Sequence, residues 1–185
     1  IYMNLNVDKI LIIGLGMIGS SIALASKSKG IKVYGFDKSN NSTNEALEKN
    51  IIDSKVESIL DINSKDFVKK VDLIIVAVPP KQTLDVLNDL KDIWNTDVTI
   101  TDTSSVKNHI KLNGASNIIL SHPIAGSYQS GISAANGDLF KNKKNILCDP
   151  FNSKKGHFEK VDNFWKNALQ MRTAVSYTHL RAHET

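Results

Sequence analysis

A glycine-rich segment between a buried strand and a helix constrains the fold of this chain more than any other feature. The run "DKILIIG" (8–14) is continuously apolar and ends in glycine, which is typical of a strand buried on both faces. The segment "MIGSSIALASKSKG" (17–30) has apolar residues at helical spacing and ends in a glycine stop. The sequence therefore predicts a strand, a tight turn and a helix in direct succession.

The turn between them reads "GLGMIG" and supplies three glycines in the G-x-G-x-x-G spacing. Gly14 permits the tight turn, Gly16 lets the backbone approach a pyrophosphate, and Gly19 lets helix and strand pack closely. The N-terminus of the helix, at Met17 and Ile18, attracts the phosphate charge. This pattern predicts a dinucleotide site, although a glycine turn that only connects strand to helix would also explain it.

An acidic residue completes the fingerprint at the end of the next predicted strand. Asp37 closes "IKVYGFD" (31–37), where a carboxylate accepts hydrogen bonds from the adenosine ribose. The same carboxylate repels a 2′-phosphate, so we expect NAD in preference to NADP. Lys38 follows directly and leaves NADP open as the alternative.

The rest of the chain repeats the alternation of strands and helices. Further strands are predicted where short apolar runs end in turn residues, at 71–80, 97–105, 116–123 and 143–150. Helices are predicted where apolar residues recur at helical spacing, at 42–50, 82–94, 106–113 and 156–169. Crossover helices bury both faces of a parallel sheet, so the order predicts an α/β, Rossmann-like fold with a doubly wound, mostly parallel sheet.

Length, composition and charge exclude several classes of protein. At 185 residues and 41% hydrophobic content the chain suits one globular domain. No apolar run reaches the roughly 18 to 20 residues of a membrane span, and the N-terminus lacks a signal-peptide layout, so we expect a cytoplasmic protein without a membrane partner. Lysines spread among acidic residues make up the net charge of +4, which disfavours nucleic acid. The single cysteine, Cys148, excludes internal disulfides and cysteine metal clusters; we expect it to be a small buried hydrophobe, with no metal site.

The last residues of the chain, "VSYTHLRAHET" (175–185), carry neither an apolar period nor strand alternation. Letter by letter they match the translation of a transposase-type sequencing adapter, whereas a natural disordered terminus would only share their lack of pattern. We interpret them as an artefactual tail. The predicted division is a dinucleotide-binding domain, 1–174, followed by this tail, 175–185.

Polar and turn residues follow three of the predicted strands, at the carboxyl edge where open parallel sheets bind ligands. They are "AVPP", with Val78 and Pro79 near the cofactor, then "DTSSVK", and then "SHPIAGS". His122 stands at the end of its strand, whereas we expect His109 and His157 to be surface or capping residues on helices. From position alone, His122 is equally a general base and a turn histidine bonded to the backbone.

Four segments together resemble the prephenate/arogenate (cyclohexadienyl) dehydrogenases of tyrosine biosynthesis: "GLGMIGSSIALA", "VDLIIVAVPP", "TDTSSVK" and "SHPIAGSYQSGISAANGDLF". The resemblance runs from about residue 9 to 171. It implies an oxidoreductase that passes hydride from the ring C4 hydroxyl carbon of prephenate or arogenate to the nicotinamide and releases carbon dioxide. His122 would accept the hydroxyl proton and Ser105 would hydrogen-bond the same oxygen, with Gly126 and Ser127 also at the substrate.

The resemblance also implies parts that this chain lacks. Members of the family continue into a helical domain that forms a homodimer and supplies an arginine for the substrate carboxylate. Prephenate is a dianion, so without that cation we expect the chain to bind NAD but to turn over little substrate. Ser104 stands where the family commonly has glycine, and Tyr128 stands where many relatives have an acidic or other polar residue.

Two other functions are compatible with the glycine fingerprint. A β-hydroxyacid dehydrogenase shares it but uses a lysine on a later helix, which leaves "SHPIAGS" unexplained. A non-catalytic NAD-sensing domain needs the fingerprint but neither His122 nor Ser105. Replacement of His122 separates these classes, because only the dehydrogenase that the resemblance implies would lose its rate and keep its NAD affinity.

Overall fold

The computed structural model describes residues 6–107 and 110–176, and its strands form one sheet in the order β3-β2-β1-β4-β5-β6-β7-β8. The strands are β1 Lys9–Ile13, β2 Lys32–Phe36, β3 Ser54–Lys55, β4 Leu73–Val76, β5 Thr99–Asp102, β6 Ile118–Pro123, β7 Lys144–Cys148 and β8 Arg172–Val175. The helices are α1 Met17–Ser28, α2 Asn40–Glu48, α3 Ile59–Ile62, α4 Pro80–Asp89 and α5 His157–Asn167, with 3₁₀ turns at Lys91–Ile93 and Ile132–Ala134.

The sheet is buried on both faces, as its continuously apolar strands predict. Ile10 and Ile12 of β1 pack into one core with α1 and α5, whereas Leu11 and Ile13 pack into a second core with α4. Neighbouring strands are parallel from β3 across to β6. The α/β, Rossmann-like fold with a mostly parallel sheet is therefore confirmed. Cys148 is buried, as expected.

The sheet departs from a purely parallel arrangement at β7. β7 runs antiparallel to β6, because the connection 124–143 carries a 3₁₀ turn rather than a crossover helix. β8, which the sequence patterns did not predict, pairs in parallel with β7. Val175, the first residue of the predicted tail, lies in β8, and the N–H of Ser176 donates to the Leu147 carbonyl (2.8 Å). The division into domain and tail stays a prediction, and 177–185 lie outside the described residues.

The predicted helix at 106–113 is wrong for the residues of that range that the structure describes, none of which is helical. The Ser104 hydroxyl donates to the Val106 carbonyl (3.0 Å) and accepts from its N–H (3.2 Å), and such local bonds compete with a helix. Lys107 turns its side chain into the protein instead of continuing the predicted amphipathic face. His109 lies outside the described residues.

His157 is neither a surface residue nor a cap, contrary to the expectation from sequence. It begins α5, is 1% exposed, and places Nδ1 2.6 Å from the Thr99 hydroxyl. Burial, reinforced by the charge of Lys160, lowers the pKa of His157 to about 4.

Helices long and apolar enough to cross a membrane are absent from the residues that the structure describes.

The buried imidazole predicts acid sensitivity. The unfolded chain takes up a proton on His157 below pH 6.5, whereas the folded chain resists until about pH 4, so stability falls as the pH drops through that window. Across this window, the linked protonation of His157 lowers the free energy of unfolding by roughly 3 kcal/mol at most. We expect His157→Asn to reduce the difference between the free energies of unfolding in urea at pH 7 and pH 5. An unchanged difference would contradict the burial of a neutral His157.

Candidate active site

The carboxyl ends of β1, β4, β5 and β6 open into one cleft of about 890 Å³. The strand order reverses between β1 and β4, and a cleft at such a reversal is where open α/β sheets bind ligands. Nearly all predicted site residues line it: Gly14, Gly16, Met17, Ile18, Asp37, Val78, Pro79, Ser105, His122 and Gly126.

The glycine turn has the conformation that the fingerprint predicts. Gly14 has φ +99°, and a Cβ there would lie 2.4 Å from the Ala77 carbonyl oxygen. A Cβ on Gly19 would lie 1.8 Å from the Gly14 carbonyl oxygen, so α1 can approach β1 this closely only with glycine. At Gly16 a Cβ would meet no atom within 4 Å. The first and third glycines thus serve packing, and the second faces open space.

Asp37 is held at one end of the cleft by backbone donors. Its Oδ2 accepts from the N–H of Leu15 (2.8 Å) and its Oδ1 accepts from the N–H of Ser39 (2.8 Å). A carboxylate oxygen has two acceptor positions, so each oxygen can still accept from a ribose hydroxyl. Beside it, the Lys38 ammonium donates to Gln82 Oε1 (3.3 Å), which joins the loop after β2 to α4.

His122 lies at the other end of the cleft, on β6, and is half-buried. Burial and then the charge of Lys107 lower the pKa of His122 below its ordinary value near 6.5, and Asp102 opposes them. The imidazole is therefore neutral at neutral pH and able to accept a proton. Ser105, on the loop after β5, is exposed and lines the same cleft.

Two predicted residues, Gly19 and Ser127, lie apart from the cleft wall, and several unpredicted ones belong to it. Ser127 is exposed, does not line the cleft, and accepts from the N–H of Gln129 on its hydroxyl (3.1 Å). Polar residues of the wall that sequence reasoning missed are Gln82, Thr103, Ser104, Gln129 and Ser130. Thr103, Ser104, Gln129 and Ser130 lie inside the quoted motifs, so membership of a motif was the available signal.

A buried ion pair lies behind the cleft, between Asp102 at the end of β5 and Lys107. Both side chains are almost fully inaccessible, at 0% and 4% exposed respectively. Both residues lie in the motif "TDTSSVK", but no role was predicted for either from the sequence.

Comparison with known proteins places these features in a family. The model of a domain described as "Prephenate dehydrogenase, nucleotide-binding domain" matches residues 22–172. The chain is 34% identical over 174 residues to a prephenate dehydrogenase of Bacillus subtilis, covering 89% of this chain and 45% of that protein. It is 29% identical to a cyclohexadienyl dehydrogenase of Zymomonas mobilis, covering 94% of this chain and 61% of that protein.

A solved structure is similar over the same region. Prephenate dehydrogenase from A. aeolicus, in complex with hydroxyphenyl propionate and NAD+, superposes with a TM-score of 0.79 at 28% identity, covering 94% of this chain and 60% of that one. The chain thus spans about half the length of the curated relatives that it matches.

Alanine substitutions at Gly16 and Gly19 make a matched pair of variants. Gly16→Ala places its methyl in open space, so we expect an unchanged melting temperature but weaker binding of NAD, whose pyrophosphate would meet the methyl. Gly19→Ala drives a methyl into the Gly14 carbonyl, so we expect a loss of about 1 to 3 kcal/mol in stability.

Thermal unfolding and calorimetric titration with NAD measure both effects. Full NAD affinity in Gly16→Ala would show that the turn only connects strand to helix.

Proposed function

Since the chain belongs to the prephenate dehydrogenase family, whose nucleotide-binding domain it matches over most of its length, we propose that the complete protein oxidatively decarboxylates prephenate or arogenate with NAD. The products are 4-hydroxyphenylpyruvate and tyrosine, respectively. The observation that carries the proposal is a single cleft that joins the glycine turn and Asp37 to Ser105 and His122. We further propose that the complete protein is a homodimer, as the family resemblance implies, and that it is cytoplasmic.

The residues of the cleft fit NAD. Gly16 leaves the backbone at the N-terminus of α1 accessible to a pyrophosphate, and Asp37 presents an oriented carboxylate to a ribose. The carboxylate also disfavours a 2′-phosphate, which supports NAD over NADP. When bound, NAD would be the hydride acceptor.

His122 and Ser105 would act on the substrate hydroxyl. The neutral imidazole of His122 accepts the hydroxyl proton as the C–H bond to the same carbon breaks, and the Ser105 hydroxyl donates a hydrogen bond to that oxygen. The bond between the ring and its carboxylate then breaks, carbon dioxide leaves, and the electron pair makes the ring aromatic. The ring oxygen recovers its proton from His122, which returns the base to its neutral form.

The alternative functions lack a supporting observation. A β-hydroxyacid dehydrogenase needs a lysine that faces the substrate, but Lys107 is buried in its ion pair and Lys38 lies at the Asp37 end of the cleft. An NAD-sensing domain would leave the half-buried His122 and its lowered pKa without a use.

We expect His122→Asn in the full-length gene product to lower kcat by about 10² to 10⁴. The affinity for NAD should stay unchanged, since His122 lies at the far end of the cleft from Asp37. NADH formation with prephenate and with arogenate measures the rate, and calorimetry measures NAD binding. His157→Asn is the matched control, because His157 lies outside the cleft wall and should leave kcat intact. Comparable rates for His122→Asn and the unmodified protein would exclude His122 as the base.

The 185-residue chain alone should bind NAD but form little NADH. Among the described residues, Lys38 is the one lysine or arginine of the cleft wall, so a dianionic substrate meets no accessible cation at the His122 end of the cleft. The same NADH assay, run on this chain beside the full-length gene product, tests the expectation. Equal turnover by both would show that the missing segment does not supply a required group.

A further inference from the structure

Every hydrogen-bonding group of Ser121, the residue before His122, is held by a side chain from another element. The Ser121 N–H donates to Asp102 Oδ1 (3.0 Å), and its carbonyl accepts from Lys107 Nζ (2.6 Å). Its hydroxyl lies 2.6 Å from the Thr101 hydroxyl and accepts from the indole N–H of Trp165 (3.0 Å). Ser121 is fully buried, so none of these bonds competes with bulk water.

These bonds lie just beyond the point where the backbone pairing of β5 with β6 ends. β5 and β6 pair only through Ile100 with Ile118 and Thr101 with Ile119. One residue further along β5, the Asp102 carboxylate takes the place of a backbone carbonyl as the acceptor for Ser121. The strands can therefore separate at the cleft while the β6 backbone stays tied to β5 through a side chain.

Lys107 links Asp102 to the backbone of Ser121. Its ammonium donates to Asp102 Oδ2 and to the Ser121 carbonyl, so one buried cation binds both the carboxylate and the peptide that leads into His122. Asp102 Oδ2 also accepts from the N–H of Ser104 (3.1 Å), next to Ser105. The pair thus contacts the chain directly beside both proposed catalytic residues.

We propose that Lys107 and Asp102 are positioning residues, which fix the backbone at Ser121 and thereby orient the His122 imidazole in the cleft. The proposal rests on the proposed function for its kinetic consequences. Its structural consequences, the position and the titration of His122, do not depend on turnover.

The charges around His122 give the pair a second, measurable effect. Lys107 disfavours the imidazolium and Asp102 favours it, with Lys107 the stronger of the two. Cys148, which also faces Lys107, has a thiol pKa raised by burial and stays neutral at neutral pH. The other charged side chains of the cleft wall, Asp37 and Lys38, lie at its opposite end.

A merely structural ion pair would behave differently from a positioning pair. If the pair only stabilised the core, its replacement would lower the melting temperature and leave the kinetics of the folded fraction unchanged. If it positions His122, replacement lowers kcat in the folded fraction and leaves KM for NAD unchanged, and the loss of the Lys107 charge also moves the pH at which activity is lost.

The first test is Lys107→Met in the full-length gene product, which keeps the side-chain length and removes the charge. We expect kcat to fall about 10- to 100-fold, as small misplacements of a catalytic group do. Because the cation that disfavours the imidazolium is gone, the pKa of His122 rises and the acidic limb of kcat/KM moves to higher pH. Lys107→Arg restores the cation and should return the limb towards its original position.

A second variant guards against misfolding. Lys107→Met leaves Asp102 as an unpaired buried carboxylate, whereas Asp102→Asn with Lys107→Met replaces the pair by neutral groups of similar shape and should fold. Since Lys107 outweighs Asp102 at His122, this double variant also raises the pKa of His122, by less than the single variant.

A pH titration of the 185-residue chain, followed by nuclear magnetic resonance, measures the pKa values of the imidazoles without substrate. The signal that disappears in His122→Asn is assigned to His122. In either variant, changed resonances of the Ser121 and His122 amides support the positioning role, and a raised His122 pKa supports the charge effect. Both results hold even if the complete protein oxidises neither prephenate nor arogenate, which would overturn only the proposed function. Folded variants with an unmoved His122 pKa, an unmoved acidic limb and an undiminished kcat would overturn the positioning role.

Discussion

The position of the cleft depends on the contact between α1 and the turn that precedes it. With no side chain on Gly14 or Gly19, the helix backbone lies directly against the ends of β1 and β4. This approach places the N-terminus of α1 at the reversal of strand order, where the positive end of its dipole faces the cleft. Any larger residue at Gly19 would push the helix away and open the cleft wall.

A second constraint acts at the opposite end of the cleft, where polar groups are buried. Asp102, Lys107, Ser121 and Thr101 lie in the interior beneath His122, and burial of such groups is unfavourable unless each finds a partner. Here the described contacts satisfy them through one connected network that includes Trp165. A network of this kind favours one arrangement of the backbone over others, which is what a proton-accepting group requires.

The sequence predicted those parts of the fold and site that depend on local pattern. Continuous apolar runs identified the central strands, and the glycine spacing with Asp37 located one end of the cleft. His122 could be placed at the other end because β6 ends there. The direction of β7 could not be predicted, because an apolar run is compatible with a parallel or an antiparallel strand. The direction depends on the connection from β6, which contains no crossover helix.

Two errors have a physical cause that sequence reading did not weigh. The apparent helix at 106–113 ignored the capacity of Ser104 to bond the nearby backbone and of Asp102 to draw Lys107 inward. His157 was expected to be a surface or capping residue because it stands near the start of the last predicted helix. It shares a helical face with Val161 and Phe164, however, and that spacing indicated burial.

The most direct test of a single cleft is a titration of the isotope-labelled 185-residue chain with NAD, followed through its backbone amide resonances. A dinucleotide that extends across the four strand ends should shift the amides of Gly16 and Asp37 together with those of Val78, Ser104 and His122. Shifts confined to Gly16 and Asp37, or an absence of shifts, would contradict a site that runs from the glycine turn to the base.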